Sequence, residues 1–144
     1  MVDLMHCISK SKEDTRAFGA LWAEKALPGD VFALNGSIGM GKTEFVRGFV
    51  SSLARNHEVR SPSFSLVNTY VTSKSVIHHF DFYRLNKASE LHEIGYYEYI
   101  CDAEAIVFIE WADMFPDVLP ESYYQVDFST SGEHERNIAV SVHK

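Results

Sequence analysis

Cysteine is scarce in this 144-residue chain, and the two present, Cys7 and Cys101, lie far apart and form no C-x-x-C pair. That argues against a disulfide scaffold or a cysteine zinc site and points to a reducing compartment. Long apolar runs are missing too. No stretch approaches the roughly 18–20 uninterrupted apolar residues of a membrane-crossing helix, and Met1-Val2-Asp3 opens no secretory pattern. The expectation is a cytoplasmic protein with no membrane partner. Positive charge is in deficit: 13 Lys and Arg face 20 Asp and Glu, a net charge of −7. Such a balance opposes an autonomous grip on a phosphate backbone, so any RNA would be reached only indirectly, through another protein. Repeats and low-complexity tracts are also lacking. What is plentiful is core-forming material, 46% hydrophobic and 13% aromatic residues, enough for a single domain over residues 1–144.

Positions 11–26 place Phe18, Leu21 and Trp22 on one stripe and leave Lys12, Glu13, Asp14 and Glu24 for solvent, which predicts an amphipathic helix. Pro28-Gly29-Asp30 stops it. The short apolar run Val31–Asn35 feeds a glycine-rich segment, after which Phe45, Val46, Phe49, Val50 and Leu53 recur at helical spacing. Segments 64–71 and 75–82 are rich in β-branched and aromatic residues, and Thr72-Ser73-Lys74 between them predicts a hairpin. Positions 87–94 and 97–100 carry short helical patterns. Ala105-Ile106-Val107-Phe108-Ile109 is a continuous apolar run, the mark of a buried strand, and it ends on Glu110-Trp111. Pro116 and Pro120 bracket an irregular loop, and segments 123–128 and 136–142 alternate as two antiparallel strands around 129–132. The sum is an α/β fold, a P-loop NTPase-like three-layer sandwich with a mixed central sheet and antiparallel C-terminal strands.

The chemistry concentrates in Gly36-Ser37-Ile38-Gly39-Met40-Gly41-Lys42-Thr43, which fits the P-loop pattern G-x-x-x-x-G-K-T in full. Glycines let successive backbone N–H groups turn inward around a phosphate at a helix start. Lys42 then neutralises the β- and γ-phosphates of ATP, and the Thr43 hydroxyl ligates Mg²⁺. Such a site also needs a carboxylate at the end of a neighbouring strand. Asp81 and Glu110 both qualify, and the residues alone leave open which of them orients an attacking water. Ser61-Pro62-Ser63-Phe64-Ser65 is a turn whose hydroxyls are placed to sense a γ-phosphate as a switch loop does. His78 and His79 are adjacent, so in a strand they face opposite sides and do not share one ion. Gly95-Tyr96-Tyr97-Glu98-Tyr99 reads as packing on the sheet or as a partner surface. Trp111 reads as a core residue.

Four blocks in order, the P-loop through Arg47-Gly48-Phe49, Ser61-Pro62-Ser63-Phe64-Ser65-Leu66-Val67, His79-Phe80-Asp81-Phe82-Tyr83-Arg84-Leu85 and Ile109-Glu110-Trp111, resemble the bacterial TsaE (YjeE) family. The resemblance implies an ATPase of tRNA threonylcarbamoyladenosine biosynthesis. By it, Thr43 and Glu110 are Mg²⁺ ligands, Lys42 sits on the phosphates, Ser63 is the switch-loop hydroxyl, Asp81 is a second essential acid, and Trp111 lies beside the nucleotide. It further implies that ATP hydrolysis supports a TsaD-like transferase and its TsaB-like companion. Two positions depart from the family pattern. Ser63 replaces a threonine, and Gly132-Glu133 replaces a Gly-Arg pair, with Arg136 as the residue expected to restore the charge.

Two other readings use the same loop. A small-molecule kinase would need an arginine-bearing lid, and Arg55, Arg60 and Arg84 do not cluster on a helical segment. An ATP-gated binding module would use the nucleotide only to order the loop from Ser61 to Leu66.

Overall fold

The computed structural model describes residues 2–54, 58–62 and 64–144. Its strands and helices follow the order β1 (Val2–Ser9), α1 (Lys12–Lys25), β2 (Val31–Asn35), α2 (Lys42–Leu53), β3 (Val67–Val71), β4 (Val76–Asp81), α3 (Ser89–Glu93), α4 (Tyr96–Ile100), β5 (Ala105–Glu110), β6 (Tyr123–Gly132) and β7 (Glu135–His143). The strands form one seven-stranded sheet in the order β1-β7-β6-β2-β5-β4-β3. β2 pairs in parallel with β5 and β6, β4 pairs in parallel with β5, and the remaining pairs are antiparallel. This is the mixed-sheet sandwich with antiparallel C-terminal strands that the residue pattern predicts.

Local chemistry sets the element ends. The Ser11 side chain accepts a hydrogen bond from the Asp14 amide, and the Asp14 carboxylate accepts one from the Lys10 amide at 2.9 Å, so one N-terminal donor of α1 and the amide just before its cap are both satisfied. One face of α1, Thr15, Phe18, Gly19, Trp22 and Ala23, is buried. Leu21, expected on that stripe, is instead exposed, because the helix packs on α2 through small residues. A Cβ at Gly19 would lie 2.1 Å from the Phe45 carbonyl oxygen, and one at Gly48 would lie 2.0 Å from that of Arg16. The two backbones touch there, and only glycine allows it.

Two apolar layers result. On the α1/α2 side, Phe32, Phe45, Phe49 and Phe108 pack edge-on and stacked, with centroids 4.8–6.3 Å apart. Each fully buried phenylalanine contributes on the order of 1.5–3 kcal/mol. On the other side Leu91 of α3 and Tyr96 of α4 pack with Phe80, Phe82, Val107 and Ile109. The Tyr96 hydroxyl donates to the Val118 carbonyl oxygen at 3.1 Å, which decides the tyrosine cluster in favour of packing for that residue.

Three segments differ from the sequence reading. β1 had no counterpart there. Its Met5 and Cys7 pack on the helix side while Val2, Leu4 and Ile8 stay exposed, so apolar residues fall on both faces and blur the alternation. The first hairpin begins at Val67 rather than 64, because Phe64 and Ser65 lie in a turn and Phe64 is 85% exposed. The last hairpin turns at Glu133-His134, since β6 continues through 129–132 to Gly132 and β7 begins at Glu135. Pro116 opens a 3₁₀ turn, Pro116–Val118, within the predicted irregular loop, and a second, Ala112–Met114, precedes that loop.

Candidate functional site

Because β4 and β5 run in parallel with Asp81 paired to Glu110, both acids stand side by side at the carboxyl ends of neighbouring strands. β2 adjoins β5 and ends at the glycine loop, with Leu34 paired to Glu110. The loop therefore opens over the two carboxylates. Gly36, Gly39 and Gly41 all have positive φ, of 149°, 82° and 102°. At Gly36 a side chain would also strike Phe128, with its Cβ 2.9 Å from that residue's Cβ and carbonyl oxygen. Gly41 caps α2, so Lys42 and Thr43 start the helix where backbone N–H groups are unpaired.

The Lys42 ammonium folds back over the loop, donating to the Gly36 carbonyl oxygen and, at 3.2 Å, to that of Ser37. It also lies 3.9 Å above the centre of the Trp111 ring, a cation–π contact. The Thr43 hydroxyl donates to the Glu110 carboxylate, 3.1 Å from one oxygen and 2.9 Å from the other. Asp81 accepts from the Ser61 hydroxyl at 3.0 Å and from the Tyr83 amide at 2.9 Å. Lys42, Asp81 and Glu110 are only 5%, 3% and 3% exposed. Burial lowers the Lys42 pKa against the pull of Glu110 and Asp81, and burial followed by the neighbouring Glu110 charge raises that of Asp81. Charged groups held at such a cost in one cleft mark a functional site.

These residues line a cleft of about 690 Å³. Ile38, Gly39, Met40, Gly41, Lys42 and Thr43 form its floor, and Arg136 lies on its wall beside Lys10 and Lys12. Ser37 sits in the loop and offers its carbonyl to Lys42. Ser63 lies outside the described residues, as does Arg55. Trp111 is half-buried rather than core, with Tyr83 packed on it at 4.8 Å between ring centres. Its φ of 58° is a left-handed conformation uncommon for such a side chain. Arg84 lies against the exposed Phe64 ring at 4.1 Å and also lines the cleft.

Sequence reading missed three participants. Glu44 bridges Arg16, at 2.5 Å, and Arg47. Against the cost of burial, hydrogen bonds from both arginines hold its carboxyl below the usual range. Arg47 in turn donates to the Val59 carbonyl oxygen at 2.7 Å, tying α2 to the segment before Ser61. His79 faces Glu110, whereas His78 turns to the other side, against Thr69 and Tyr99. Their signals were present as Glu44 directly after Thr43 and His79 two residues before Asp81.

Hard oxygen donors from Thr43, Glu110 and Asp81, gathered beside an anion-ready helix start, fit Mg²⁺ shared with phosphates rather than an all-protein cage. Among the described residues no group of three or more His, Cys, Asp or Glu is arranged to hold a metal.

The sequence model of the threonylcarbamoyl adenosine biosynthesis protein TsaE matches residues 9–138. The chain belongs to the TsaE family. It is 35% identical to the TsaE protein of Bacillus subtilis over 126 residues, covering 88% of this chain and 78% of that one. Its likeness to the TsaE of Rickettsia prowazekii is 32% over 141 residues, 97% of this chain and 94% of the relative. The crystal structure of Bacillus subtilis YdiB superposes with a TM-score of 0.83 at 29% identity, over 99% of this chain and 87% of that one. The family's place is tRNA threonylcarbamoyladenosine biosynthesis. Among the described residues no helix is long and apolar enough to cross a membrane.

Proposed function

We propose that this chain binds Mg²⁺ and ATP in the cleft and hydrolyses the γ-phosphate to support a TsaD-like transferase and its TsaB-like companion, with tRNA reached only through them. The observation that carries this reading is the Thr43 hydroxyl at the start of α2 lying on the Glu110 carboxylate, with Asp81 on the adjoining strand. On ATP binding, Lys42 exchanges the Gly36 and Ser37 carbonyls for phosphate oxygens, and the amides of 37–43 close around the β-phosphate. Thr43 and Glu110 would hold the metal, which would supply charge neutralisation to the phosphates.

Asp81 is the acid assigned to hold the attacking water, because Glu110 lies on Thr43 as the metal-side carboxylate while Asp81 stands beside it on the adjoining strand and lines the same cleft. Its raised pKa suits a proton acceptor. Water oxygen bonds to the γ-phosphorus, the bond to the β–γ bridging oxygen breaks, ADP departs, and the water proton passes to Asp81. Trp111 and Tyr83, packed on each other, line the cleft beside Lys42.

The test is Mg²⁺-dependent phosphate release by the purified chain, alone and with a TsaB–TsaD pair, with Lys42→Ala as the blank. Stimulation by the pair that disappears in Lys42→Ala supports the reading. Nucleotide binding without release under either condition would replace it with an ATP-gated module. Label appearing on a small-molecule hydroxyl would replace it with a kinase.

A further inference from the structure

The Glu110 carboxylate has a partner on each side. Opposite Thr43, the His79 imidazole Nε2 lies 2.5 Å from Glu110 Oε2. His79 is 0% exposed and sits among the aromatic residues of the α2 side, where an imidazole–carboxylate pair costs more to desolvate than two apolar side chains of the same volume. The contact does not stop there. Nδ1 of the same ring lies 3.5 Å from the Tyr70 hydroxyl, and that hydroxyl lies 3.4 Å from the Arg60 carbonyl oxygen. Asn68 Nδ2 donates to the same carbonyl at 3.1 Å. The next residue, Ser61, holds Asp81.

The register explains the alignment. His79 pairs with Phe108, two residues before Glu110, and Tyr70 pairs with Ile77, two residues before His79. Glu110, His79 and Tyr70 therefore step diagonally across β5, β4 and β3 on one face of the sheet, from the head of α2 to the segment 58–62. A carboxylate on a strand end turns about its last side-chain bond. Pinning Oε2 from behind fixes its plane and presents the group to the Thr43 hydroxyl.

We propose that His79 is a positioning residue for the metal–nucleotide site: it sets the Glu110 carboxylate, and through Tyr70 it joins that carboxylate to the segment carrying Ser61. The proposal rests on the Mg²⁺–ATP reading given above. His79 touches neither nucleotide nor metal and acts through Glu110. The known weight of such supporting partners, about ten- to a hundredfold in metal affinity, sets the size of the effect.

The experiment measures affinity for a fluorescent ATP analogue across a Mg²⁺ titration and in excess EDTA, for the natural chain, His79→Phe, His79→Gln and Tyr70→Phe, each checked by circular dichroism. In His79→Phe the Mg²⁺ concentration for half-maximal tightening should rise about ten- to a hundredfold, with affinity in EDTA unchanged. His79→Gln, whose amide reaches the position of Nε2, should recover most of the loss. An unchanged Mg²⁺ requirement in His79→Phe would overturn the proposal, as would an equal loss with and without Mg²⁺, the behaviour of a merely structural residue. Should His79→Phe not fold, Tyr70→Phe decides: it removes one hydroxyl, and a severalfold higher Mg²⁺ requirement is expected where none would refute the chain of contacts. A natural chain that binds the nucleotide equally with and without Mg²⁺ would overturn the metal-site reading itself, and this one with it.

Discussion

Lys42 and Asp81 are held in the cleft in ways that oppose their charges. For Asp81, the folded state raises the pKa above the ordinary carboxylate value, so between the two values the native chain binds more protons than the unfolded one. Its contribution to stability is therefore present at low pH and is lost as pH rises through that window. Asp81→Asn should raise the melting temperature at neutral pH by a few degrees, the scale of about 1 kcal/mol in a domain of this size, while abolishing phosphate release. The stabilisation should vanish when the melt is repeated below the ordinary carboxylate range, and an equal gain at both pH values would count against it. Lys42→Ala should remove nucleotide binding, whereas Glu110→Ala should retain Mg²⁺-free affinity and lose the tightening by Mg²⁺, both read by the fluorescent analogue. Lys42, Thr43 and the two acids were legible in the sequence because their spacing is dictated by phosphate and metal chemistry. His79, Tyr70 and Glu44 were not, because their partners lie 31, 9 and 28 residues away and only the sheet register and the helix crossing bring them together.

Elements tell a similar story at larger scale. β2 and α2 were readable because a continuous apolar run, a glycine loop and a 3.6-residue period follow one another without interruption. β5 was readable as a run buried on both faces, and all six of its residues are buried. β1 was illegible because it is an edge strand whose outward positions are as apolar as its inward ones. Leu21 was misplaced because the α1–α2 contact uses glycines, which carry no hydrophobic signal. That contact yields a direct prediction. Gly48→Ala puts a methyl 2.0 Å from the Arg16 carbonyl oxygen, and overpacking of this kind costs about 1–3 kcal/mol. The urea midpoint should fall with the slope unchanged, and nucleotide affinity should fall with it, since Thr43 sits in the first turn of the same helix. A midpoint equal to that of the natural chain would show that the helices separate without cost.

At the scale of the molecule, a net charge of −7 coexists with a cleft whose rim carries Lys10, Lys12, Arg84 and Arg136. The overall balance was plain from composition, but the local reversal of sign depends on β1, β7 and the end of β4 converging, which composition does not encode. Nucleotide affinity should consequently weaken severalfold as NaCl rises from about 0.05 to about 0.5 M, because the Debye length shrinks to a few ångströms. Arg136→Ala should flatten that dependence, and an unchanged slope would remove Arg136 from the site. The outermost pairing of the sheet carries one more consequence. Val2 pairs with Val142 and Ser9 with Arg136, so among the described residues β1 has β7 as its one hydrogen-bonded neighbour in the sheet. β1 is made before β7, and every other strand and helix lies between them in sequence, so their pairing is the least local contact in the sheet and closes only after those elements exist. β1 is therefore among the last elements of the fold to be seated, although it precedes the others in sequence.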